Sequence, residues 1–137
     1  MIWAPNKGEI TFPNVYLGHW EMDVMTVKAT GYVYEYEIKV SKSDFKADFK
    51  KKHYGRFKHD KLKNGKEVCN RFFFVCPEGL IKVSECPVYA GLIYYKGGKN
   101  KFTCFETVKN APILHRNKFK DYKYLCQKLY YRLMPNS

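Results

Sequence analysis

The run Val33-Tyr34-Glu35-Tyr36-Glu37-Ile38-Lys39-Val40-Ser41 most constrains what this chain can fold into. Its alternation suits a β-strand, because successive strand side chains point to opposite faces. One face reads Glu35, Glu37, Lys39, Ser41 and the other Tyr34, Tyr36, Ile38, Val40. The pattern predicts an apolar face turned to a core and a charged face lining a cleft or meeting water. Acidic-x-Lys triplets recur at Asp44 with Lys46, Asp48 with Lys50 and Asp121 with Lys123. Those fall in helical patterns, where positions two apart do not share a face. Only Glu37 and Lys39 fall on one face of a strand.

A hairpin brings a second acid to this strand. Residues 22 to 28 read as a strand, and Ala29-Thr30-Gly31 as a three-residue turn with Gly where positive φ is needed. That register pairs Lys28 with Tyr32, and sets Asp23 opposite Glu37 and Glu21 opposite Lys39. Directly opposed residues have Cβ atoms about 4.5–5.5 Å apart. A two-residue turn would put Asp23 on the other face unless a bulge corrected it. Two carboxylates and a lysine at the end of a strand pair suit metal-dependent cleavage of a phosphodiester. Mg²⁺ or Mn²⁺ takes hard oxygen ligands and keeps several waters, and the lysine holds or polarises the attacking water. The plainer reading of the same residues is surface charge that discourages edge pairing.

Around this hairpin the chain reads as α/β. Ile10–Leu17 is a strand interrupted by Pro13, which suits an edge or a bulge. Ser41 or Ser43 caps a helix over residues 43–58, with Phe45, Phe49 and either Tyr54 or Phe57 as its buried stripe. Residues 61 to 66 read as a basic loop. Arg71-Phe72-Phe73-Phe74-Val75-Cys76 is a continuous apolar run, typical of a central strand covered on both faces. Gly91–Tyr95 is a further strand, which Gly97-Gly98 turns into a partner over residues 102 to 108. A closing helix over residues 117 to 133 carries Phe119, Tyr122, Leu125, Cys126, Leu129 and Leu133 at helical spacing. The expected architecture is one domain over residues 1–137, a central mixed β-sheet flanked by helices.

Charge narrows the partner. The formal net charge is +12, from 25 Lys+Arg against 13 Asp+Glu, and nucleic acid is the commonest polyanion that such a surface meets. Lys42, Lys46, Lys50, Lys51, Lys52, Arg56 and Lys58 crowd the expected 43–58 helix and would neutralise flanking phosphates without reading bases. A solvated basic face is the bland equivalent. Cys69, Cys76, Cys86, Cys104 and Cys126 form no CxxC pair and match no standard zinc spacing, which suits reduced thiols in a cytoplasmic compartment. No apolar run approaches the ~20 residues that span a bilayer. The first residues lack the apolar stretch of a secretory signal. His19, two residues from Glu21, could reach the site; His53, His59 and His115 have no evident partner.

Glu21-Met-Asp-Val-Met and, further on, Tyr36-Glu-Ile-Lys-Val-Ser-Lys-Ser-Asp-Phe-Lys-Ala-Asp-Phe-Lys50 resemble the MmcB-like DNA-repair proteins and their phage and bacterial relatives. These belong to the PD-(D/E)XK nuclease superfamily. Asn70 to Val75, then Pro77-Glu78-Gly79-Leu80 and Ala90-Gly91-Leu92-Ile93, fit the same order, so the resemblance covers roughly residues 10 to 108. It implies a restriction-endonuclease-like core and a metal-dependent deoxyribonuclease, more often endonucleolytic, of DNA repair or phage DNA processing. It makes Asp23 and Glu37 the metal ligands, with the Ile38 carbonyl a third. Lys39 then orients the water or stabilises phosphate charge, and Glu21 holds a ligand or a water. Ser41, Asp44 and Asp48 become capping and supporting groups.

Relatives usually open with a helix carrying another acidic and a basic residue, whereas this chain starts almost at its first strand. The segment before Ile10, with Glu9, would stand in, or a homodimer would supply what is lacking. The alternatives to a DNA nuclease of a bacterial or phage-infected cytoplasm are an RNA substrate, a weak or inactive DNA-binding relative, and a basic protein-interaction module.

Overall fold

The computed structural model describes residues 9–17, 20–98 and 104–134. Its framework is a six-stranded mixed sheet in the order β1-β2-β3-β6-β7-β8. β1 (Ile10–Leu17), β2 (Trp20–Val27) and β3 (Val33–Ile38) form an antiparallel meander, with Pro13 on the edge strand. β6 (Arg71–Pro77) and β7 (Gly91–Tyr95) follow in parallel to β3, and β8 (Phe105–Lys109) closes the other edge antiparallel to β7. His19 and the chain between Gly98 and Cys104 lie outside the described residues.

The β2–β3 hairpin has the expected three-residue turn. Lys28 N–H donates to Tyr32 O at 2.8 Å, and Gly31 adopts φ 90°. Val24 faces Tyr36 and Val27 faces Val33, so the same register continued by one residue brings Asp23 opposite Glu37. The triple-Phe run is the central strand. Phe72 and Phe74 are fully buried with Met25, Val33 and Leu92 on one face, while Phe73 and Val75 pack with Tyr36 and Ile93 on the other. Asn70, also fully buried, ties three segments together. Its Oδ1 accepts from Val33 N–H at 2.7 Å, and its Nδ2 donates to the carbonyls of His115 and Asn117 at 2.9 Å each.

The connection from β3 to β6 departs from the single helix expected over 43–58. α1 spans only Lys42–Asp48, with Ser41 Oγ accepting from Asp44 N–H at its N-cap. β4 (Lys52–His53) and β5 (Arg56–Phe57) then form a small hairpin. Its turn places Tyr54 and Gly55 at φ 50° and 75°, the two left-handed positions that a tight hairpin requires. Tyr54 is exposed and buries nothing. α2 (Lys58–Lys63) covers part of the stretch read as a basic loop. On one continuous helix Lys51 and Lys58 would sit about 120–140° away from Phe45, on the far side from the sheet. The break turns both lysines inward.

The final helix is also shorter than expected. α3 spans Tyr122–Leu133; Leu125 is buried and Leu129 packs against the core, whereas Tyr122, Cys126 and Leu133 are exposed. Residues 110 to 120 run without regular structure, held by Asn70 and by Phe119 N–H donating to Gly31 O at 2.9 Å.

Gly91 marks the tightest approach in the sheet. A Cβ there would lie 2.6 Å from Phe73 Cε1 and 2.8 Å from Ala111 N. Gly91→Ala should destabilise the fold by about 1–3 kcal/mol, read from urea unfolding midpoints at unchanged slope.

Candidate active site

The charged face of β3 does not meet water. Glu35, Glu37 and Lys39 are 1%, 2% and 4% exposed, whereas Ile38 and Val40 on the supposed core face are 45% and 72% exposed. β3 lies inside the sheet, and α1, the link from α1 to β4, and α2 supply the partners of its charged face. Tyr34 and Tyr36 make the opposite face serviceable as core, with Tyr36 stacked on Phe73 at 5.3 Å.

Each buried charge finds a countercharge. Lys58 Nζ donates to Glu35 Oε2 at 2.7 Å in a pair almost fully removed from solvent. Lys39 Nζ lies 2.8 Å from Asp48 Oδ1 and 3.9 Å from Glu37 Oε1. Lys51 Nζ bridges the same two acids, at 2.5 Å from Glu37 Oε1 and 2.8 Å from Asp48 Oδ1. Asp44 borders the group at 3.7 Å from Lys39. His59 Nε2 lies 2.5 Å from Asp48 Oδ2, and its Nδ1 is 2.8 Å from the Tyr89 hydroxyl. The imidazole stacks on Phe74, which holds its plane.

These surroundings set the acids apart. Burial pushes Glu37 up to about 7, against the opposing pull of Lys58 and Lys51. Burial acts on Asp48 as well, but hydrogen bonds from His59, Lys39 and Lys51 outweigh it and hold its carboxyl well below the usual range. For Lys58, burial is outweighed by Glu35 and Glu37, so its ammonium is held charged. The Asp48 carboxylate is thus held ionised while burial raises its neighbour Glu37 toward neutrality.

β2 is irregular around Asp23. Met22 and Met25 both belong to the larger core cluster while Val24 packs against the smaller one, so strict alternation breaks at Asp23. Asn14, opposite it, has φ 51°. Asp23 Oδ2 accepts from Ile38 N–H at 2.8 Å, where β3 parts from β2. Glu21 is exposed opposite Tyr16 and joins no ion pair or hydrogen bond among the described residues. Nor do three His, Cys, Asp or Glu side chains converge as a ready-made metal cage among the described residues.

Of the basic residues expected to meet phosphates, Lys46, Lys50, Lys52 and Arg56 are exposed. Lys58 is not available: it is 1% exposed and committed to Glu35. Lys51 is committed to Glu37 and Asp48, and Lys42 pairs with Glu85. Sequence reasoning missed Glu35, His59 and Tyr89 as members of the network, the pairing of Lys58 with Glu35, and the central role of Asp48. Nothing in the spacing singles out these lysines from the other basic residues around them. Beside the cluster, at the carboxyl ends of β3 and β6, opens a groove of about 290 Å³ lined by Ile38, Lys39, Val40, Val75, Tyr95 and Phe105. Lys39 joins the groove to the buried network.

Two stability measurements follow from the charge burial. Lys58→Met strands Glu35 and should cost about 3–5 kcal/mol, while Glu35→Leu with Lys58→Met should recover most of that loss in denaturant titrations. Glu37 binds its proton more tightly folded than unfolded, so its contribution is full below about 4.5 and is lost as pH rises through about 7. The stability of Glu37→Gln relative to the parent should therefore climb between pH 5 and pH 8, read by chemical unfolding at each pH.

No family model and no curated protein matches this sequence. Among solved structures the chain is similar to the SPO1766 protein of unknown function from Silicibacter pomeroyi, at 19% identity and a TM-score of 0.59 over 96% of this chain and 84% of that one. At this identity the likeness concerns the fold alone.

Proposed function

We propose that this chain is a metal-dependent nuclease that hydrolyses phosphodiester bonds of DNA, in DNA repair or phage DNA processing. The observation that carries the reading is the buried set of Glu37, Lys39 and Asp48 at the carboxyl end of β3. Open α/β sheets bind their ligands at the carboxyl ends of strands. Desolvating these groups costs several kcal/mol per ion, and well-packed apolar side chains would serve stability as well or better. The donors suit Mg²⁺ or Mn²⁺: they are hard carboxylate oxygens, and Glu37 Oε2 is buried with no hydrogen-bond partner among the described residues.

In this reading Asp23 and Glu37, with the Ile38 carbonyl, hold the ion. When bound, the ion supplies positive charge to a phosphate oxygen and acidifies a water. Lys39 orients that water or the phosphate, and Asp48 fixes Lys39 in place. Asp48 is in turn held by His59. Lys46, Lys50, Lys52 and Arg56 meet flanking phosphates, which makes binding sensitive to salt and indifferent to base sequence. A second reading, a nuclease-fold DNA-binding protein with weak or no activity, is favoured by Lys51, which already neutralises Glu37.

Cleavage of circular single-stranded and supercoiled plasmid DNA with Mg²⁺, Mn²⁺ or EDTA tests the proposal. Metal-dependent nicking is expected, with Glu37→Ala and Lys39→Ala each reducing it by on the order of 10²–10³-fold while remaining folded. DNA and metal binding without nicking would support the second reading. No metal binding and no nicking would end the nuclease reading.

A further inference from the structure

The group seated between the two buried acids is a lysine that belongs to neither strand nor helix. Lys51 lies between α1 and β4 and remains 31% exposed, whereas the side chains of Glu37 and Asp48 are 3% and 0% exposed. Its ammonium is therefore the one cation of the pair-bridging group that reaches the acids from the solvent side. Asp48 does not depend on it, since Lys39 lies 2.8 Å from Oδ1 and His59 2.5 Å from Oδ2. Glu37 does: Lys39 stands 3.9 Å away, and Glu37 Oε2 has no hydrogen-bond partner among the described residues. Among the described residues the nearest countercharge on a carboxylate 97% removed from water is thus a flexible four-carbon arm.

Resting on the reading of Glu37 as a metal ligand, we propose that the Lys51 ammonium is an internal competitor that occupies the divalent-cation position at Glu37 and must withdraw before Mg²⁺ or Mn²⁺ binds. A divalent ion and an ammonium on one carboxylate repel each other, most strongly where water is excluded. Withdrawal needs only side-chain rotation toward solvent, where Lys50 and Lys52 are already exposed. Lys51 would then lie among groups able to meet a phosphate. Competition of this kind lowers the apparent metal affinity by the fraction of molecules with Lys51 withdrawn.

Mn²⁺ binding without DNA, followed by electron paramagnetic resonance of the free ion, tests this independently of catalysis. Lys51→Met should bind Mn²⁺ about tenfold or more tightly than the parent, within the range of typical coupling energies. Lys51→Arg should stay close to the parent, because it keeps the charge. Lys63→Met, which removes an exposed lysine, should change binding by less than about twofold, because exposed charges are screened. Lys51→Met with Glu37→Gln should lose the gain. Thermal melts check folding, and Lys51→Ala replaces the Met variant if that one fails to fold. Equal affinity in the parent and the charge-removing variant, no binding by either, or a gain that survives Glu37→Gln would each overturn the proposal. Metal-dependent nicking by the parent in any of those cases would leave the nuclease reading standing without a role for Lys51.

Discussion

Three ionisable side chains in succession on the covered face of β3 govern how the chain above them must run. Glu35, Glu37 and Lys39 are all nearly removed from solvent. A buried charge without a partner costs several kcal/mol, so counterions have to be delivered to fixed points along the strand. They come from the connection between β3 and β6: Asp48 for Lys39, Lys51 for Glu37 and Lys58 for Glu35. A single helix presents one stripe to the sheet and would have filled it with Phe45 and Phe49 alone. A short helix, a tight hairpin and a second short helix deliver both the aromatic packing and the lysines.

The apolar framework makes that arrangement affordable. Phe72 and Phe74 sit beside Glu35 and Glu37 in register, and their rings border His59 and Phe45. This rigid wall leaves little room for water and keeps the charge pairs short. Asn70 anchors the start of β6 to β3 and to the segment that leads toward α3, which fixes the parallel register on which the cluster rests. The groove at the strand ends is lined in part by Lys39, while Lys51 reaches the buried acids from the solvent side. Stability alone would favour an apolar replacement, which is why a buried cluster of this kind points to chemistry or to specificity.

Much of the fold was legible because it rests on local patterns. Alternation in residues 33 to 41, Gly31 at a positive-φ turn position and the Phe72-Phe73-Phe74 run foretold the meander and the central strand. The site was legible in part. Asp23, Glu37, Lys39, Asp44 and Asp48 do gather around the end of β3, yet Asp23 caps the Ile38 amide and Asp48 stands at the centre. The direction of the strand's charged face was misread, since alternation reveals that two faces differ but not which is covered. Tyr34 and Tyr36 are amphipathic enough to serve either side. The helix over 43–58 was overextended because helical spacing of Phe45 and Phe49 continues formally through Phe57, and Tyr54-Gly55 was not recognised as a hairpin turn.

Composition and spacing by themselves determined an α/β chain with a basic surface, the β2–β3 hairpin register and the pairing of an acid with a lysine on one strand face. These depend on residues close in sequence, where backbone geometry alone sets which side chains are neighbours. Only the tertiary structure decided that the acid–lysine face is interior, that Lys51 and Lys58 turn inward while Lys46, Lys50 and Lys52 stay in water, and that His59 and Tyr89 complete the network. Lysines are alike in a sequence. What distinguishes them is the distance to a buried carboxylate contributed from elsewhere in the chain, and that distance exists only once the sheet has formed and the connection has closed over it.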